Sequence, residues 1–494
     1  MSSLDTITDL LDDAAARTLF ASSSPLTILD DFRVPYEVDE RLSLQGMEQL
    51  RVPGRAPALL WKSHPSGEPI AATVLGADQE TQIPLFARVV SDGVAEPLLA
   101  DRGGTWHRAR ALTSADGVRC GSIWRAEDGS VFLPFDPDEV ALNYWSERYL
   151  RVAAGTTVRS LRRRLMLAYY RTRPVLPRPL QIWLRRQFAR VQARSAFPRW
   201  PVEPCLHDFF DLIFAILGGL AGGPIPRVAP WPHGHAWALV LTHDVEQSSG
   251  LNVIDPVLEL ERTHGVRSSW NFVPGRYQVD PERVAALVAD GFEVGVHGLY
   301  HDGLDLESFA TWQERLPLAH DAAERWGAVG FRSAALHREW DWMRLLNFDY
   351  DSSCPDTDPY EPQHGGCCTW LPFFNGELVE LPLTLPHDHT VFVILRHQDE
   401  SCWVEKAEFL RDRGGLAVLD THPDYLVDER IFRAYDRFLG RFADDATAWR
   451  ALPRDVSAWW RRRAASSLER DGGTWRIVGP AADEAHIELS QVPW

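Results

Sequence analysis

The stretch WALVLTHDVE, residues 237–246, decides how the second half of this chain is interpreted. An apolar run that suits a buried strand ends abruptly at His243, Asp244 and Glu246. Loops after strands are often polar, which would explain these residues without any chemistry. Alternate residues of an extended strand point the same way, however, so Asp244 and Glu246 can also face one pocket.

From residue 236 onward, apolar strands alternate with helical stretches. The predicted strands are 237–242, 267–274, 292–297, 328–333, 379–385 and 416–420. The predicted helices are 254–264, 280–290, 308–326, 338–346 and 402–413. This rhythm is typical of parallel βα units in a barrel or a doubly wound sheet, and both architectures build their sites at the carboxyl ends of the strands.

The chain is predicted to have four parts. These are a mixed α+β N-terminal domain (1–150), an arginine-rich helical connector (151–232), the βα domain (233–465) and a C-terminal β-hairpin tail (466–494). The apolar run at 212–223 is too short to span a bilayer and predicts a buried helix. The tail is expected to pair GGTWRIVGP with AHIELSQV.

The net charge of −18 over 494 residues argues against a general nucleic-acid binder. The charge is uneven, because residues 151–200 hold thirteen arginines and no acidic residue, which leaves about −31 elsewhere. Two interpretations stay open. The arginines can pair with acidic surface elsewhere in the chain, or they can contact an anionic polymer or membrane surface.

The six cysteines have no CxxC spacing and predict reduced thiols in a cytoplasmic protein. The acidic N-terminus, MSSLDTITDLLDDAA, lacks the charged and then apolar pattern of a signal sequence. We therefore expect a cytoplasmic chain with no transmembrane segment.

The stretch FEVGVHGLYHD, residues 292–302, carries two histidines in H-x-x-x-H spacing directly after a predicted strand. On a turn of helix this spacing would bring His297 and His301 onto one face, where they could bind a divalent metal. Two histidines and one carboxylate, with positions left for water and substrate, describe an open catalytic metal site.

Three further stretches carry candidate residues. Arg332 ends the strand AVGFRS and could orient a carboxylate. Asp349 and Asp351 in FDYDSS could cap a turn or act directly. Asp420 and His422 follow the late strand in LAVLDTHPDYL, where His422 would be the general acid.

Five motifs in this order resemble the polysaccharide deacetylases, the NodB-like carbohydrate esterases. They are LTHDVE, VHGLYH, GFRSAAL, FDYDSS and LDTHPDY, within about 236–465. The resemblance implies a distorted (β/α) barrel of about seven or eight units, preceded by an accessory N-terminal domain. It also implies metal-dependent removal of N- or O-linked acetyl groups from a sugar. The usual proline and tyrosine after the arginine are missing, and a D-x-E sequence replaces the common pair of adjacent aspartates.

The resemblance also implies roles for individual residues. The metal ligands would be Glu246, His297 and His301, with Asp244 as the alternative carboxylate. The catalytic set would be Asp244 as base, Arg332 as its tether, His422 as acid and Asp420 as the acid's neighbour. The expected cofactor is a divalent ion, with zinc first and cobalt, nickel or iron as alternatives.

The expected substrate is an acetylated glycan or lipid-linked sugar in polysaccharide biosynthesis or modification, such as exopolysaccharide. Two alternatives stay open: a non-catalytic carbohydrate-binding or assembly protein on the same barrel, and a metal-dependent amidohydrolase of a non-sugar amide. A group of aromatic residues favours a sugar, because rings stack on sugar faces: Trp340, Trp342, Trp370, Phe373 and Phe374.

Overall fold

The computed structural model of this chain describes residues 26–38, 46–154, 172 and 176–490. The N-terminal segment without a predicted signal sequence lies outside these residues, as does most of the stretch from 155 to 175. Within the described ranges, no helix is both long enough and apolar enough to cross a bilayer. The six cysteines are all free thiols.

Eight strands in the first part of the chain form one sheet. They are β1 (Glu37–Val38), β2 (Met47–Arg51), β3 (Ala58–Lys62), β4 (Ile70–Leu75), β5 (Gln82–Ala87), β6 (Trp106–Ser114), β7 (Arg119–Ala126) and β8 (Val131–Leu133). Their order is β1-β2-β3-β8-β7-β6-β4-β5, and only the β3–β8 pair is parallel. The accompanying helices are α1 (Thr27–Asp31), α2 (Asp92–Ala100), α3 (Pro137–Trp145) and α4 (Tyr149–Ala154).

Two longer helices and a short strand lead into the second part: α5 (Arg178–Gln192), α6 (Cys205–Ala221) and β9 (Ile225–Val228). Helix α6 contains the apolar run and is buried around most of its circumference, as predicted. It ends at Gly222, whose φ of 70° is the left-handed conformation that glycine adopts without strain. The core around α6 extends from Leu59 of β3 to Cys354 and Phe373, so one hydrophobic core joins the two parts.

A second sheet is built mainly from parallel strands, as the alternation of strands and helices predicts. Its strands are β10 (Trp237–Val245), β11 (Ser269–Phe272), β12 (Glu293–His297), β13 (Gly330–Arg332), β14 (Tyr350–Asp351), β15 (Phe373–Asn375), β16 (Leu378–Glu380), β17 (Leu416–Thr421) and β18 (Ala448–Arg450). The order is β15-β16-β14-β13-β12-β11-β10-β17, with β18 also beside β10. Only β15 runs antiparallel to its neighbour.

The helices of this part are α7 (Ile254–Thr263), α8 (Pro281–Ala289), α9 (Phe309–Trp326), α10 (Trp340–Met343), α11 (Ser401–Asp412), α12 (Pro423–Leu426), α13 (Glu429–Phe442) and α14 (Pro453–Ala464). Four of the five predicted helices match closely. The helix predicted at 338–346 is limited to α10, and the chain soon afterwards reaches Asn347, whose positive φ of 50° is incompatible with a helix.

The two ends of the strand order approach each other. The chain after β16 runs beside β17, where the Leu385 amide donates to the Val418 carbonyl at 3.0 Å. The Val418 amide donates in turn to Thr384 Oγ1 at 2.8 Å. The sheet therefore curls enough to bring the chain that continues from β16 within hydrogen-bonding distance of β17.

The predicted pairing of the C-terminal tail is wrong. A hairpin does form, but between β19 (Ser467–Asp471) and β20 (Thr474–Val478), through the turn at Gly472 and Gly473. Both glycines have positive φ, which this tight turn requires. The last strand, β21 (Ile487–Ser490), pairs instead with β9, far back in the sequence.

A buried ion pair links the two parts of the chain. Arg338 donates from Nη2 to Glu147 Oε1 at 2.5 Å and from Nε to Oε2 at 2.6 Å. Both side chains are buried. Removing one partner of such a pair leaves the other charge buried without compensation, which is strongly destabilising.

We expect Glu147→Gln to lower the free energy of unfolding by about 3 kcal/mol. Urea unfolding followed by circular dichroism would measure the change. Glu469→Gln is the matched control, because the ion pair of Glu469 with Arg476 is exposed and is expected to contribute less than about 1 kcal/mol. Equal effects of the two substitutions would contradict a stabilising role for the buried pair.

Candidate metal and acid–base site

The ends of the parallel strands bring the predicted site residues together. Asp244 lies near the end of β10, and His297 and Arg332 are the last residues of β12 and β13. His422 follows β17 directly. Since these strands are parallel, their carboxyl ends lie at one side of the sheet. Asp244, His297 and His422 line a cavity there.

Glu246, His297 and His301 form a compact cluster in this cavity. One potential ligand atom from each lies within 4.8 Å of the other two. Glu246 Oε1 is 2.8 Å from His301 Nε2. The two histidines meet through a bend after β12, and not on the predicted helical turn. Gly298 and His301 both adopt positive φ there, which turns the chain back toward the cavity.

The hydrogen bonding and burial of His297 suit a metal ligand. Its Nδ1 donates to the Arg332 carbonyl at 3.2 Å, so the lone pair is on Nε2. Nε2 is buried and has no hydrogen-bond partner among the described residues. Burial lowers the pKa of His297 to about 4, which keeps the imidazole neutral at ordinary pH. A neutral imidazole with an unused lone pair fits a divalent metal ion.

His301 has a different hydrogen-bond environment, which the sequence analysis did not foresee. Arg276 Nη1 lies 3.1 Å from both His301 Nδ1 and the His301 carbonyl. A guanidinium has only donors, so Nδ1 accepts and the ring proton is on Nε2, facing Glu246. A neutral imidazole binds a metal only through the nitrogen that lacks the proton, so binding through Nε2 would require the ring proton to be on Nδ1 and Arg276 Nη1 to move away from it.

Asp244 is held as a carboxylate by donors to one of its oxygens. Oδ1 accepts from Asn271 Nδ2 at 2.8 Å and from Arg332 Nη1 at 3.1 Å. Burial opposes ionisation, but the Arg332 guanidinium and the nearby His297 outweigh it and hold the pKa of Asp244 well below its usual range. Asp244 Oδ2 lies 3.4 Å from His297 Nδ1.

Arg332 connects Asp244 to a second carboxyl group. Its Nη1 is 2.9 Å from Asp420 Oδ1, and its Nε and Nη2 donate to Ser352. Burial and the neighbouring Asp244 raise the pKa of Asp420 to about 7. One carboxyl group of this pair is therefore ionised, while the other takes up a proton near neutrality.

His422 has its closest charged partner in Asp388. His422 Nδ1 donates to Asp388 Oδ1 at 2.6 Å, and the His422 amide donates to Oδ2 at 2.7 Å. Asp420 Oδ2, the neighbour expected from the sequence, is farther away, at 3.7 Å from Nε2. Burial opposes the charge of the imidazolium, but Asp388 and then Asp420 raise the pKa of His422 well above its usual range.

The two aspartates of FDYDSS lie outside this constellation. Asp349 is exposed, and its carbonyl accepts from Ser457 and Arg461. Asp351 is buried and accepts from Ser353 Oγ at 2.6 Å. Asp351 lines a second cavity of about 530 Å³ together with Glu380.

The far wall of the cavity comes from segments without a predicted catalytic role. His387 Nε2 lies 3.1 Å from Glu361 Oε1, and His389 stacks on Tyr425. Helix α5 also reaches this wall through Gln181, Ile182 and Arg185. The arginine-rich connector therefore takes part in the site, a position that the sequence pattern did not indicate.

No protein-family model and no curated protein matches this sequence, whereas solved structures do. About half of this chain is similar to solved polysaccharide deacetylases. A polysaccharide deacetylase from Mycobacterium smegmatis is 22% identical over 49% of this chain and 98% of its own, with a TM-score of 0.39. One from Pseudomonas aeruginosa PAO1 is 18% identical over 46% and 92%, also at 0.39. Puue allantoinase is 16% identical over 47% and 92%, with the same score.

The five aromatic residues that favoured a sugar substrate are not among the described residues that line the cavity that holds Asp244. Phe373 instead stacks between Trp340 and Trp145 of α3, with ring centroids 6.0 and 5.5 Å away. Trp340 and Phe373 therefore help to pack the two parts of the chain together, and they line the second cavity instead of the cavity that holds Asp244.

Proposed function

We propose that this chain is a metal-dependent hydrolase that removes acetyl groups from a carbohydrate. The observation that carries the proposal is the arrangement of charge around one cavity. An ionised aspartate, Asp244, and a protonated histidine, His422, lie beside a cluster of two histidines and a glutamate. A base, an acid and a metal-ligand set are what hydrolysis of an acyl group requires.

Glu246, His297 and His301 would hold the ion. When bound, a divalent ion supplies an acidified water and polarises an acyl carbonyl. Two histidines and one carboxylate leave coordination positions for both, and they suit zinc, with cobalt, nickel or iron as alternatives.

Asp244 would accept the proton of the attacking water. Its low pKa keeps it ionised throughout the working range of pH, and a weak base is sufficient for a water that is already acidified. Arg332 and Asn271 occupy Oδ1 and fix the plane of the carboxylate. This leaves Oδ2, which lies 3.4 Å from Nδ1 of the neutral His297 ring, as the oxygen that takes the proton.

His422 would donate a proton to the leaving amine or hydroxyl. Asp388 accepts the hydrogen bond from Nδ1–H and stabilises the imidazolium, so the Nε2 proton is the one available for transfer. Nε2 is 3.9 Å from Glu246 Oε1, which puts the donor beside the ligand cluster. Asp420 and Arg332 would act as positioning residues, because they connect the base to the acid through charged contacts.

We also propose that the curled sheet is the distorted (β/α) barrel of the polysaccharide deacetylases, spanning 233–465. The hydrogen bond between Leu385 and Val418 supports closure. The proposed division keeps 1–150 as the N-terminal domain, 151–232 as the connector and 466–494 as the tail. The substrate would be an acetylated or lipid-linked glycan in polysaccharide biosynthesis or modification.

The test is acetate release by the purified, metal-loaded chain. The panel would contain an N-acetylated chitin oligosaccharide, an O-acetylated xylan and a simple acetamide without a sugar. We expect acetate from at least one of the two sugars and a smaller rate with the acetamide. Acetate from the acetamide alone would favour the amidohydrolase alternative. Binding of the sugars without any acetate would favour the binding protein.

Asp388→Asn is expected to move the alkaline limit of activity to lower pH. A raised pKa keeps His422 protonated as the pH rises, and activity is lost only above that pKa. Without the Asp388 charge the proton leaves earlier, so the turnover at pH 9 should fall about tenfold relative to the wild type, while the rate at pH 6 changes less. The measurement is kcat across pH 5–10. An unchanged alkaline limit would show that Asp388 does not set the pKa of the general acid.

A further inference from the structure

Helix α5 turns its apolar side outward. Trp183, Phe188 and Val191 are 54%, 52% and 60% exposed, and Leu180 and Leu184 lie on the same face. At helical spacing these positions form one continuous stripe. A surface helix normally buries such a stripe against the core, so the outer face of α5, defined by these five residues, is the reverse of the usual arrangement.

The orientation of α5 is set by polar contacts on its opposite side. Arg186 donates from Nε and Nη2 to the Val393 carbonyl at 2.9 and 2.8 Å. Gln192 Nε2 donates to the Glu361 carbonyl at 2.9 Å, and Arg185 lies 3.4 Å from the Glu361 carboxylate. Rotating the helix to bury its outer face would break all of these contacts.

The charge around the outer face is positive. Arg190 and Arg194 are exposed at its edge. They belong to the stretch 151–200, with thirteen arginines and no acidic residue, in a chain that otherwise carries about −31. A partner that fits this surface is therefore both apolar and anionic.

We propose that the outer face of α5 binds the surface of an anionic lipid bilayer. A bilayer supplies an apolar layer beneath anionic headgroups, which matches an apolar stripe edged by arginines. Tryptophan and arginine are favoured at this depth, because their side chains have an apolar body and a polar or charged end. The acidic remainder of the chain would be repelled by the same surface, so only this face would dock.

Docking through α5 would set the position of the cavity. Gln181, Ile182 and Arg185 on the inner side of the helix line the cavity wall, and the outer face lies on the other side of the same helix. The cavity would then be separated from the headgroups by the thickness of one helix, about 10 Å. The binding surface itself does not depend on the proposed deacetylase activity.

The test is co-sedimentation of the full chain with vesicles. Vesicles of phosphatidylcholine alone would be compared with vesicles containing about a third phosphatidylglycerol, at low and high salt. We expect binding to the anionic vesicles that weakens with salt. Arg190→Gln with Arg194→Gln should reduce the partition coefficient about thirtyfold, which is about fivefold for each arginine. Trp183→Ser with Phe188→Ser should reduce it at least tenfold.

Two controls match these variants. Arg119→Gln removes an exposed arginine from β7, and Val118→Ser with Val427→Ser removes exposed apolar side chains elsewhere. Both should sediment like the wild type. Absence of binding to anionic vesicles, or equal losses in variants and controls, would overturn the proposal. So would a dimer in light scattering that Trp183→Ser with Phe188→Ser dissolves, because the face would then be covered by a second copy.

Discussion

Asp244→Asn is expected to lower the turnover number for acetate release by about a thousandfold, while the protein keeps its metal ion. Asparagine has the same shape and can still accept a hydrogen bond from Arg332, so the surrounding contacts survive. It cannot accept a proton from water, however. The loss should therefore appear in kcat, with little change in KM or in metal content.

The matched control is Asp351→Asn, which changes another buried aspartate at the end of a strand of the same sheet. Asp351 lies outside the candidate site, and an asparagine oxygen can still accept the hydrogen bond from Ser353 Oγ. We expect its turnover to stay within about threefold of the wild type. Full activity of Asp244→Asn would rule out the base assignment. Loss of the metal in Asp244→Asn would make Asp244 a ligand instead.

The double substitution His297→Ala with His301→Ala is expected to abolish metal binding and activity together. Two of the three ligand side chains disappear, and Glu246 alone cannot retain a divalent ion against water. Elemental mass spectrometry should find about one ion per wild-type chain and less than a tenth of that in the variant. Acetate release should fall to background.

His387→Ala is the control for this variant, because it removes a histidine from the same cavity but not from the Glu246 cluster. His387 belongs to a separate group with Asp358 and Glu361, whose polar atoms also lie within 4.8 Å of one another. If His387→Ala lost the metal and the double variant kept it, the metal site would be the group of Asp358, Glu361 and His387. An unchanged metal content in both the double variant and His387→Ala would show that neither group binds the ion.

The sequence was sufficient where residues lie at the ends of strands. The positions of Asp244, His297, Arg332 and His422 follow from recognising parallel strands, because their carboxyl ends meet at one side of the sheet. The alternation of apolar strands with amphipathic helices is enough to place them there. The convergence of these four residues at one end of the sheet was accordingly predictable.

The partners of these residues were not predictable in the same way. Asp388 reaches His422 from a segment 34 residues earlier, after a turn that has no strand or helix signal. Asn271 and Arg276 reach Asp244 and His301 from β11 and the loop that follows it. A buried asparagine in a strand or an arginine in a loop has many ordinary explanations, so only the folded contacts distinguish these two from the rest.

The failure of the helical-turn prediction for His297 and His301 has a local cause. H-x-x-x-H spacing fits a helix, but glycine directly after the first histidine favours a bend. At Gly298 a side chain would also meet Asp305 Oδ2 at 2.8 Å. The H-x-x-x-H spacing therefore predicted correctly that the two rings lie close together. It predicted the wrong backbone, because a bend and not a helical turn brings them together.

The hydrophobic core around α6 limits how this architecture could have been assembled in evolution. Apolar side chains of the first sheet and of Cys354 and Phe373 share that core, so neither half presents a finished surface to water. A gene encoding only the second half would produce a chain with a bare apolar flank and an Arg338 without its Glu147 partner. Recombination that separated the two halves would thus have to be accompanied by new polar residues on that flank, and the two halves are expected to be inherited as a single unit.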